Sequence, residues 1–465
     1  MRSSLLVFFG LACTLVAQGS LEARLTSVTN KARAAKVKVG AVVLRADDGR
    51  AMFSSDPDLA LIPASNQKVL TCAAAALALG MEAEIRTEFF AHGGIENGEL
   101  SGYLRVRGEG DPTFGAQDFG DSLQALRAVA DRLAARGLKR ISGDLVLDDS
   151  AFDSGFTGPD WPDDASTDRW MAPSAALSLD EALTRVVIRP GRGDGAEAEP
   201  SPDTGFVKIV NRLRTVRAKK DSGVGFERMA NGDLLAKGAV FSGAGPVVHE
   251  VAVADPVLQF GFGFRRALAD AGIKVGGTVR RAVAEERTGG EIMVVVRTPL
   301  SRVFPRILKH SQNHRADMVF RHLAYKTSGQ GSYENGGTAL LRILKEAGVS
   351  IDGLVAADGC GLSRKNRVTA MALAGALRAM DSRPEGLDFR NMLAEPQEEG
   401  TLERRLPALK DRMFAKTGSI DGVASLSGFL QRADGWTVFA IVLNGSPKQG
   451  LRKYADDFAE ALAKP

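Results

Sequence analysis

The positions of three short motifs constrain the fold of this chain more than any other feature of its sequence. The letters SNQK stand at 65–68, SQN at 311–313 and KTG at 416–418. They offer a serine with a lysine, a second hydroxyl with an amide, and a basic strand edge, which act on one substrate only if they meet in one cleft. The sequence therefore predicts that both chain ends build one domain and that the middle is inserted into it.

The overall composition is that of a globular protein. The chain has 465 residues, of which 44% are hydrophobic and 25% are charged, so we expect several domains with a sizeable core. The formal net charge is only +4, and no basic block is interleaved with aromatic residues. We therefore expect a mixed, solvated surface and no nucleic-acid partner.

The first residues have the pattern of a secretory signal peptide. Arg2 precedes an apolar run at 5–16, and small residues follow at 17–20, which is the order of charge, apolar segment and cleavage site in such signals. We predict a signal peptide at 1–19 and an exported, periplasmic protein. Membrane association is expected to be peripheral at most, because the run is too short for a bilayer span. Lipidation of Cys13 is the alternative.

Two cysteines, Cys72 and Cys360, remain after such a cleavage. Cys72 lies in an alanine-rich segment that is typical of a buried helix. We expect buried free thiols, and a disulfide between the two is the alternative, since nothing in the sequence requires it.

Both chain ends carry patterns that suit a single sheet with helices. A helix is predicted to open at the SNQK motif and to stop at Gly80, and another is predicted at 451–462. An Asp-Gly turn, typical of a hairpin, separates the last two strands. The middle, 89–297, has short strand-like runs broken by glycine, proline and aspartate, which indicates one or two inserted domains. The predicted strands of the two ends stand at 39–44, 51–54, 424–431 and 436–443.

Ser65 and Lys68 have the spacing of a nucleophile and its base. Three residues apart on a helix, they lie on one face about one turn apart. A serine hydroxyl needs a base, and a lysine serves as one only when its amine is neutral, through burial or a nearby cation such as Lys416. Because the helix starts near Pro63, the N–H of Ser65 can form half of an oxyanion hole.

Each motif alone also has an ordinary structural explanation. Ser-x-x-Lys and Ser-x-Asn occur by chance in most chains, and Lys-Thr-Gly can be a turn. The joint context favours the catalytic interpretation, since the first motif opens an apolar helix and the third leads into a strand. His310 and His314 could form half of a metal site, but helix-surface histidines are the preferred interpretation because no third ligand is evident. We predict no metal and no cofactor.

The chain resembles the D-alanyl-D-alanine carboxypeptidase/endopeptidase family of low-molecular-mass class C penicillin-binding proteins. The resemblance covers almost the whole mature chain. Besides the three motifs it rests on GEGDP at 108–112, GDLVLD at 143–148, APSAA at 172–176, DGCGLS at 358–363 and GTL at 400–402. It departs from the family at Cys360, where serine is usual.

The resemblance implies an α+β fold with a penicillin-recognising catalytic domain, in which an antiparallel sheet is flanked by helices, and two inserted, mostly β domains. The implied boundaries are 20–88 and 298–465 for the catalytic domain, 89–115 and 190–297 for inserted domain II, and 116–189 for a nested domain III.

The resemblance also implies a role for each site residue. Ser65 is the acylated nucleophile, Lys68 its base, Ser311 the proton relay and Asn313 the donor to the substrate amide. Lys416 places positive charge near the terminal carboxylate of the substrate. The remaining expected substrate-binding residues are Thr417, Gly418 and Ser419, with the Ser419 N–H in the oxyanion hole, and Asp148, next to Asp149, for the free amine of a diaminopimelate side chain.

The predicted function is that of a serine D-Ala-D-Ala carboxypeptidase, with DD-endopeptidase activity as a further option, acting on peptidoglycan stem peptides through an acyl-enzyme on Ser65. β-Lactam antibiotics are expected to acylate the same serine. A class C-like β-lactamase is one alternative, although those enzymes usually have a tyrosine where this chain has Ser311. A non-catalytic wall-binding protein is the other, and the oligomeric state stays open.

Overall fold

The computed structural model describes residues 20–161 and 167–464, so the predicted signal peptide lies outside the described residues. In the described part of the chain, no helix combines the length and the apolar character that crossing a bilayer requires. The α-helices of these ranges are α1 (Leu21–Ala34), α2 (Gln67–Leu79), α3 (Ala116–Phe119), α4 (Gln124–Ala135), α5 (Pro256–Asp270), α6 (Leu300–Leu308), α7 (Asn313–Ser328), α8 (Tyr333–Glu346), α9 (Ala370–Asp381), α10 (Gly386–Asn391) and α11 (Leu451–Ala463).

The strands fall into four sheets. In chain order they are β1 (Lys38–Arg45), β2 (Ala51–Ser55), β3 (Glu84–Glu96), β4 (Glu99–Gly108), β5 (Arg140–Ile141), β6 (Leu145–Asp148), β7 (Leu183–Pro190), β8 (Ala196–Ser201), β9 (Ile209–Val216), β10 (Gly223–Arg228), β11 (Leu234–Phe241), β12 (Val247–Ala252), β13 (Lys274–Val275), β14 (Val279–Arg281), β15 (Glu291–Pro299), β16 (Met413–Ile420), β17 (Val423–Arg432) and β18 (Gly435–Asn444).

The two ends of the chain form one antiparallel sheet of five strands, in the order β16-β17-β18-β1-β2. β17 and β18 make the hairpin that the Asp-Gly turn predicted, with Arg432 opposite Gly435. β1 pairs along its whole length with β18, from Lys38 opposite Asn444 to Arg45 opposite Thr437. The prediction that both ends build one sheet is therefore confirmed.

Helices cover both faces of this sheet, because alternate residues of its central strands are apolar on either side. Ala41 and Val43 of β1 pack with Leu25 of α1 and Phe458 of α11. Val42 and the other residues of the opposite face pack against α2, α7, α8 and α9. The predicted α+β class, with an antiparallel sheet between helices, is confirmed.

α2 lies at the centre of the helical layer. A 3₁₀ turn at Ala64–Asn66 leads into it, and it ends at Gly80, whose φ of 85° suits a residue without a Cβ. The small side chains of 73–76 are fully enclosed, so neighbouring helices approach the axis closely. Cys72 and Cys360 are both buried and free, as expected.

The middle of the chain forms the other three sheets. Five strands run in the order β13-β5-β4-β3-β15, with β6 joining β4 to β14, and α4 and α5 pack on this sheet. Two three-stranded sheets, β10-β11-β9 and β12-β7-β8, are built from residues between Leu183 and Ala252.

The predicted domain boundaries stay a prediction, but sheet membership favours different inner ones. β6 lies within the predicted nested segment 116–189, yet it pairs with β4 and β14, outside that segment. β7, which begins in the same segment, pairs with β8 and β12 instead. The parallel pairing of β6 with distant strands leaves no mark in local periodicity, which is why the sequence did not reveal it.

Candidate active site

Side chains of the three motifs meet in one place. Lys68 Nζ lies 3.0 Å from Ser65 Oγ and 2.8 Å from Asn313 Oδ1. Lys416 Nζ lies 2.9 Å from Ser311 Oγ. The three motifs thus contribute to one polar cluster, although they are far apart in the sequence. It consists of two hydrogen-bonded groups, Ser65 with Lys68 and Asn313, and Ser311 with Lys416.

Each side chain of the cluster is held by a different element. Ser65 lies in the 3₁₀ turn before α2, and Lys68 lies in the first turn of α2. Ser311 precedes α7 with a φ of 62°, a left-handed conformation that costs energy for a residue with a Cβ and that often marks functional sites. Asn313 is the first residue of α7, and Lys416 lies on the edge strand β16.

Asn66 fastens the turn that carries Ser65 to the sheet. Its side chain is completely buried and donates to Ser425 Oγ at 2.7 Å and to the Lys416 carbonyl at 3.2 Å, while the Ser427 hydroxyl donates to its Oδ1. Ser425 also donates to the Pro63 carbonyl at 2.6 Å. Sequence reasoning gave Asn66 no role. The signal it missed is the pair of serines two residues apart in the otherwise apolar strand β17.

Gly418 is required for the close approach of β16 to that turn. A Cβ at this position would lie 2.2 Å from Ser425 Oγ and 2.7 Å from the Pro63 carbonyl oxygen, well inside van der Waals contact. The sequence analysis counted this glycine among the substrate-binding residues. The structure adds a reason within the protein, since a side chain here would displace the turn that bears Ser65.

Lys68 has hydrogen-bond partners that suit a neutral amine. Its side chain is 0% exposed, and Nζ lies 2.6 Å from the Cys360 carbonyl in addition to its contacts with Ser65 and Asn313. Burial lowers the pKa of Lys68. A neutral amine has two N–H groups and one lone pair. If the N–H groups donate to Asn313 and Cys360, the lone pair faces the Ser65 hydroxyl.

Lys416 is the second buried amine of the site. It is 0% exposed and donates to Ser311 Oγ and, at 2.6 Å, to the Thr417 carbonyl. Burial, followed by the positive charge of Lys68, holds its pKa well below the usual range. The two lysines therefore disfavour each other's charged form, as expected for a site that keeps one amine as a base.

Two buried aspartates lie behind Lys68, and the sequence analysis assigned them no role. Asp317 Oδ1 accepts from the N–H groups of Gly359 and Cys360 at 2.8 and 3.1 Å, which fixes the turn whose carbonyl contacts Lys68. Burial, and then the nearby Asp358, raises the pKa of Asp317 to about 8. Its position one turn after Asn313 in α7 was the only available signal.

Asp317, Asp358 and Cys360 place three potential metal-ligating atoms within 4.8 Å of one another. Asp358, however, already accepts from the backbone N–H groups of Gly361 and Ser363 and from the side chain of Asn366. Burial also raises the pKa of the Cys360 thiol well above its usual value, so the thiolate that binds metals is disfavoured. This donor set fits a structural role better than a metal site.

The third motif continues along the edge of the sheet. Thr417 is buried, whereas Ser419 is exposed and its hydroxyl accepts from Arg452 at 3.2 and 3.3 Å. Among the described strands β16 pairs only with β17, and on its other edge Ala394 exchanges two backbone hydrogen bonds with Ala415. No described strand pairs with this edge beyond Ala415, where an extended peptide could add to it.

Asp148 is not brought together with the three motifs. It ends β6 with 1% of its surface exposed, and its oxygen atoms contact Arg105 Nη1 at 3.5 Å and the Ser150 hydroxyl at 2.6 Å. Arg105 is itself 2% exposed, so the two form a buried ion pair. The assignment of Asp148 to the free amine of a substrate therefore stays a prediction. The adjacent Asp149 pairs with Arg281 at 2.9 Å.

The two histidines near the second motif are not the helix-surface pair that we expected. His310 precedes α7 and is half-buried, while His314, the second residue of α7, is buried with its Nε2 3.0 Å from Ser178 Oγ. Burial lowers the pKa of His314 to about 3, so its imidazole is neutral.

Comparison with known proteins agrees with this geometry. A model of the D-Ala-D-Ala carboxypeptidase 3 (S13) family matches residues 21–464. The chain belongs to this family. The resemblance inferred from the motifs is thereby confirmed, and membership places the chain among the D-Ala-D-Ala carboxypeptidases.

Among its S13 relatives, a D-alanyl-D-alanine carboxypeptidase of Actinomadura sp. (strain R39) is 30% identical over 443 residues, which cover 91% of this chain and 81% of that protein. The D-alanyl-D-alanine carboxypeptidase DacB of Haemophilus influenzae is 27% identical over 395 residues, covering 83% and 81% respectively. The crystal structure of penicillin binding protein 4 from H. influenzae matches with a TM-score of 0.81 and 24% identity, over 95% of this chain and 99% of that one. The last comparison supports the fold.

Proposed function

We propose that this S13 protein is a serine D-Ala-D-Ala carboxypeptidase that forms an acyl-enzyme on Ser65. The observation that carries this proposal is the 3.0 Å contact between Ser65 Oγ and the buried amine of Lys68. The other two contacts of this amine are to oxygen acceptors, which suits a neutral amine that donates to them and accepts from the serine. In the first step, Ser65 Oγ bonds to the penultimate carbonyl carbon as its proton passes to Lys68. The N–H groups of Ser65 and Ser419 stabilise the resulting oxyanion.

The leaving group departs on the side of Ser311. As the carbon–nitrogen bond breaks, the Ser311 hydroxyl gives its proton to the terminal D-alanine nitrogen and regains one from Lys68. A terminal carboxylate bound beside Lys416 opposes the effect of burial and favours the charged form of this amine, so Lys416, which contacts Ser311, holds the leaving group as an ion pair with Thr417 beside it. Water then attacks the ester carbon and gives one proton to Lys68, which passes it to Ser65 Oγ as the acyl–oxygen bond breaks, so the serine hydroxyl and the neutral amine are both restored.

Asn313 positions the acyl part of the substrate. Its Oδ1 accepts from Lys68, and its Nδ2 donates to the Trp170 carbonyl at 3.0 Å. A substrate amide carbonyl replaces the Trp170 carbonyl as the acceptor, so the same side chain aligns both base and substrate.

Names and complexes of the relatives support the substrate class. Curated relatives are called D-alanyl-D-alanine carboxypeptidases, and H. influenzae penicillin binding protein 4 has been crystallised in complex with a β-lactam. We infer that β-lactams acylate Ser65 of this chain and that peptidoglycan stem peptides ending in D-Ala-D-Ala are its substrates. The edge of β16 beyond Ala415, which no described strand covers, also suits the longer DD-endopeptidase substrate, a cross-linked peptide.

The test is covalent labelling of the purified protein with a fluorescent penicillin, together with D-alanine release from a stem pentapeptide. We expect labelling and release by the wild type, neither by Ser65→Ala, and a loss of at least ~100-fold in the acylation rate for Lys68→Ala, since the base is removed. Lys326→Ala is the matched control, because Lys326 pairs with Glu109 at 2.9 Å instead of a catalytic group. It should acylate like the wild type.

Three results contradict the proposal. Label that persists in Ser65→Ala places the nucleophile elsewhere. A folded wild type that takes no label and releases no D-alanine is not a carboxypeptidase of this kind. Rapid release of hydrolysed penicillin without action on the pentapeptide indicates a β-lactamase instead.

A further inference from the structure

A polar cavity of about 250 Å³ shares a wall with the catalytic cluster. Ser311 and Asn313 line it, together with Arg169, Trp170 and Arg306. A ligand held by the Asn313 amide can therefore extend into this cavity without crossing a wall of the protein. Its size suits a short polar segment of a peptide rather than a large apolar group.

His314 lines this cavity and has a buried ring nitrogen without a hydrogen-bond partner among the described residues. Only 4% of the surface of His314 is exposed, and the nitrogen without a partner among these residues is Nδ1. When the Ser178 hydroxyl donates to Nε2, the proton of the neutral ring lies on Nδ1. A buried N–H without a partner is costly, so a ligand acceptor at this point is favoured.

The charged groups of the cavity favour an anion. Arg306 donates to the Gln117 carbonyl at 3.3 Å, and no described carboxylate lies within ion-pair distance of it. Arg169 pairs with Glu250 at 2.8 Å and lies against the Trp170 ring. The carboxylate on the lining, that of Glu181, is already held by Arg315 at 2.9 Å.

The end of α7 adds to this preference. α7 has 16 residues, and its N-cap side chain, Gln312, makes no capping hydrogen bond. The first residues of the helix line the cavity, so the positive end of the helix dipole lies beside it. Hydrogen-bond donors thus come from three sources: the end of α7, Arg306 and His314. Together they favour an anionic ligand that accepts hydrogen bonds.

We propose that this cavity is a specificity subsite that binds a free carboxylate of the stem peptide upstream of the scissile bond. The inference rests on the proposed function, because the acyl part of the substrate must lie against Asn313. In such stems the second residue is a D-glutamate linked through its side chain, which leaves its main-chain carboxylate free. Arg306 pairs with that carboxylate, and the His314 Nδ1–H donates to it.

The experiment compares two synthetic stem pentapeptides that differ only at the second residue, which carries either a free carboxylate or its primary amide. We expect the wild type to release D-alanine from the carboxylate form with a kcat/KM about tenfold higher, as one charge-assisted contact implies. Arg306→Gln should abolish this preference, because removing the guanidinium lowers kcat/KM mainly for the carboxylate peptide. Arg302→Gln, an exposed arginine of the same helix, is the matched control and should keep it.

Labelling by fluorescent penicillin, which lacks the upstream peptide, verifies that each variant is folded and catalytically competent. If Arg306→Gln does not fold, Arg169→Gln tests the second arginine that lines the cavity. Equal kcat/KM for the two peptides in the wild type, or an equal loss on both in Arg306→Gln, overturns the inference and leaves the proposed function intact. A labelled wild type that cleaves neither peptide overturns the proposed function as well.

Discussion

Lys68 is surrounded by groups that act on its pKa in opposite directions. Complete burial lowers the pKa of Lys68 and is the largest effect. Neighbouring acidic groups act against it and raise the pKa: Cys360, Asp317 and Asp358. Asp317 is itself shifted toward its neutral form by burial, which weakens its hold on a charged Lys68. The result is an amine that loses its proton more readily than a free lysine.

This environment predicts a particular pH dependence. Below its pKa Lys68 is protonated and cannot accept the Ser65 proton; above it the amine is neutral. We expect the acylation rate with penicillin to rise with pH to a plateau. The midpoint of this rise should lie below 10.5, the pKa of an unperturbed lysine. Stopped-flow labelling across pH measures this, with circular dichroism to verify folding at each pH. A rate that falls with rising pH over the range in which the protein stays folded contradicts the role of Lys68 as base.

At the scale of elements, the site depends on how the 3₁₀ turn before α2 fits against β16 and β17. Asn66, Ser425 and Ser427 supply the hydrogen bonds of this junction, and Gly418 supplies the space. Buried polar networks of this kind specify one arrangement because a shifted turn leaves several groups unpaired. The position of Ser65 is thus set by strand residues more than by its own helix.

Gly418→Ala tests this junction. The added methyl group overlaps Ser425 Oγ and the Pro63 carbonyl, both parts of the junction, so the turn must move. We expect a destabilisation of about 1–3 kcal/mol from overpacking and a loss of at least ~10-fold in the acylation rate from misplacement of Ser65. Thermal unfolding and penicillin labelling measure the two effects.

Gly225→Ala is the matched control, because Gly225 lies in strand β10 with no atom within 4 Å of an added Cβ. It should change neither quantity appreciably. Wild-type acylation by Gly418→Ala would mean that the junction does not determine where Ser65 lies.

The sequence revealed the parts of the molecule that local pattern and chemistry encode. The hairpin of β17 and β18, the helix that follows SNQK and the residues of the cluster were all predictable, because alternation, turn residues and motif spacing are local signals. The pairing of β6 with β4 and β14 was not, since parallel neighbours are chosen by tertiary packing. The pairing of Asp148 with Arg105 was not predictable for the same reason, because only the fold brings the two side chains together.

At the scale of the whole molecule, one sheet joins residues from the two ends of the chain. β1 lies between β18 and β2, and its Val42 is fully buried in the core beneath the helices. The strand that bears Lys416 is in the same sheet, so a weakness in β1 reaches the catalytic cluster through β17 and β18. The sheet β10-β11-β9 has a separate small core and no hydrogen bonds to this sheet.

Val42→Ala should therefore destabilise the catalytic domain as a unit. Losing two buried methyl groups costs about 2 kcal/mol, and amide hydrogen exchange in β1, β17 and β18 should accelerate together, by about 30-fold for amides that exchange through opening of that unit. Exchange in β9–β11 should change little. Val224→Ala, in half-buried β10, is the control and should show the reverse pattern. If Val42→Ala accelerates exchange in β1 alone, the two chain ends do not unfold cooperatively, and the cluster is stabilised locally around α2 instead.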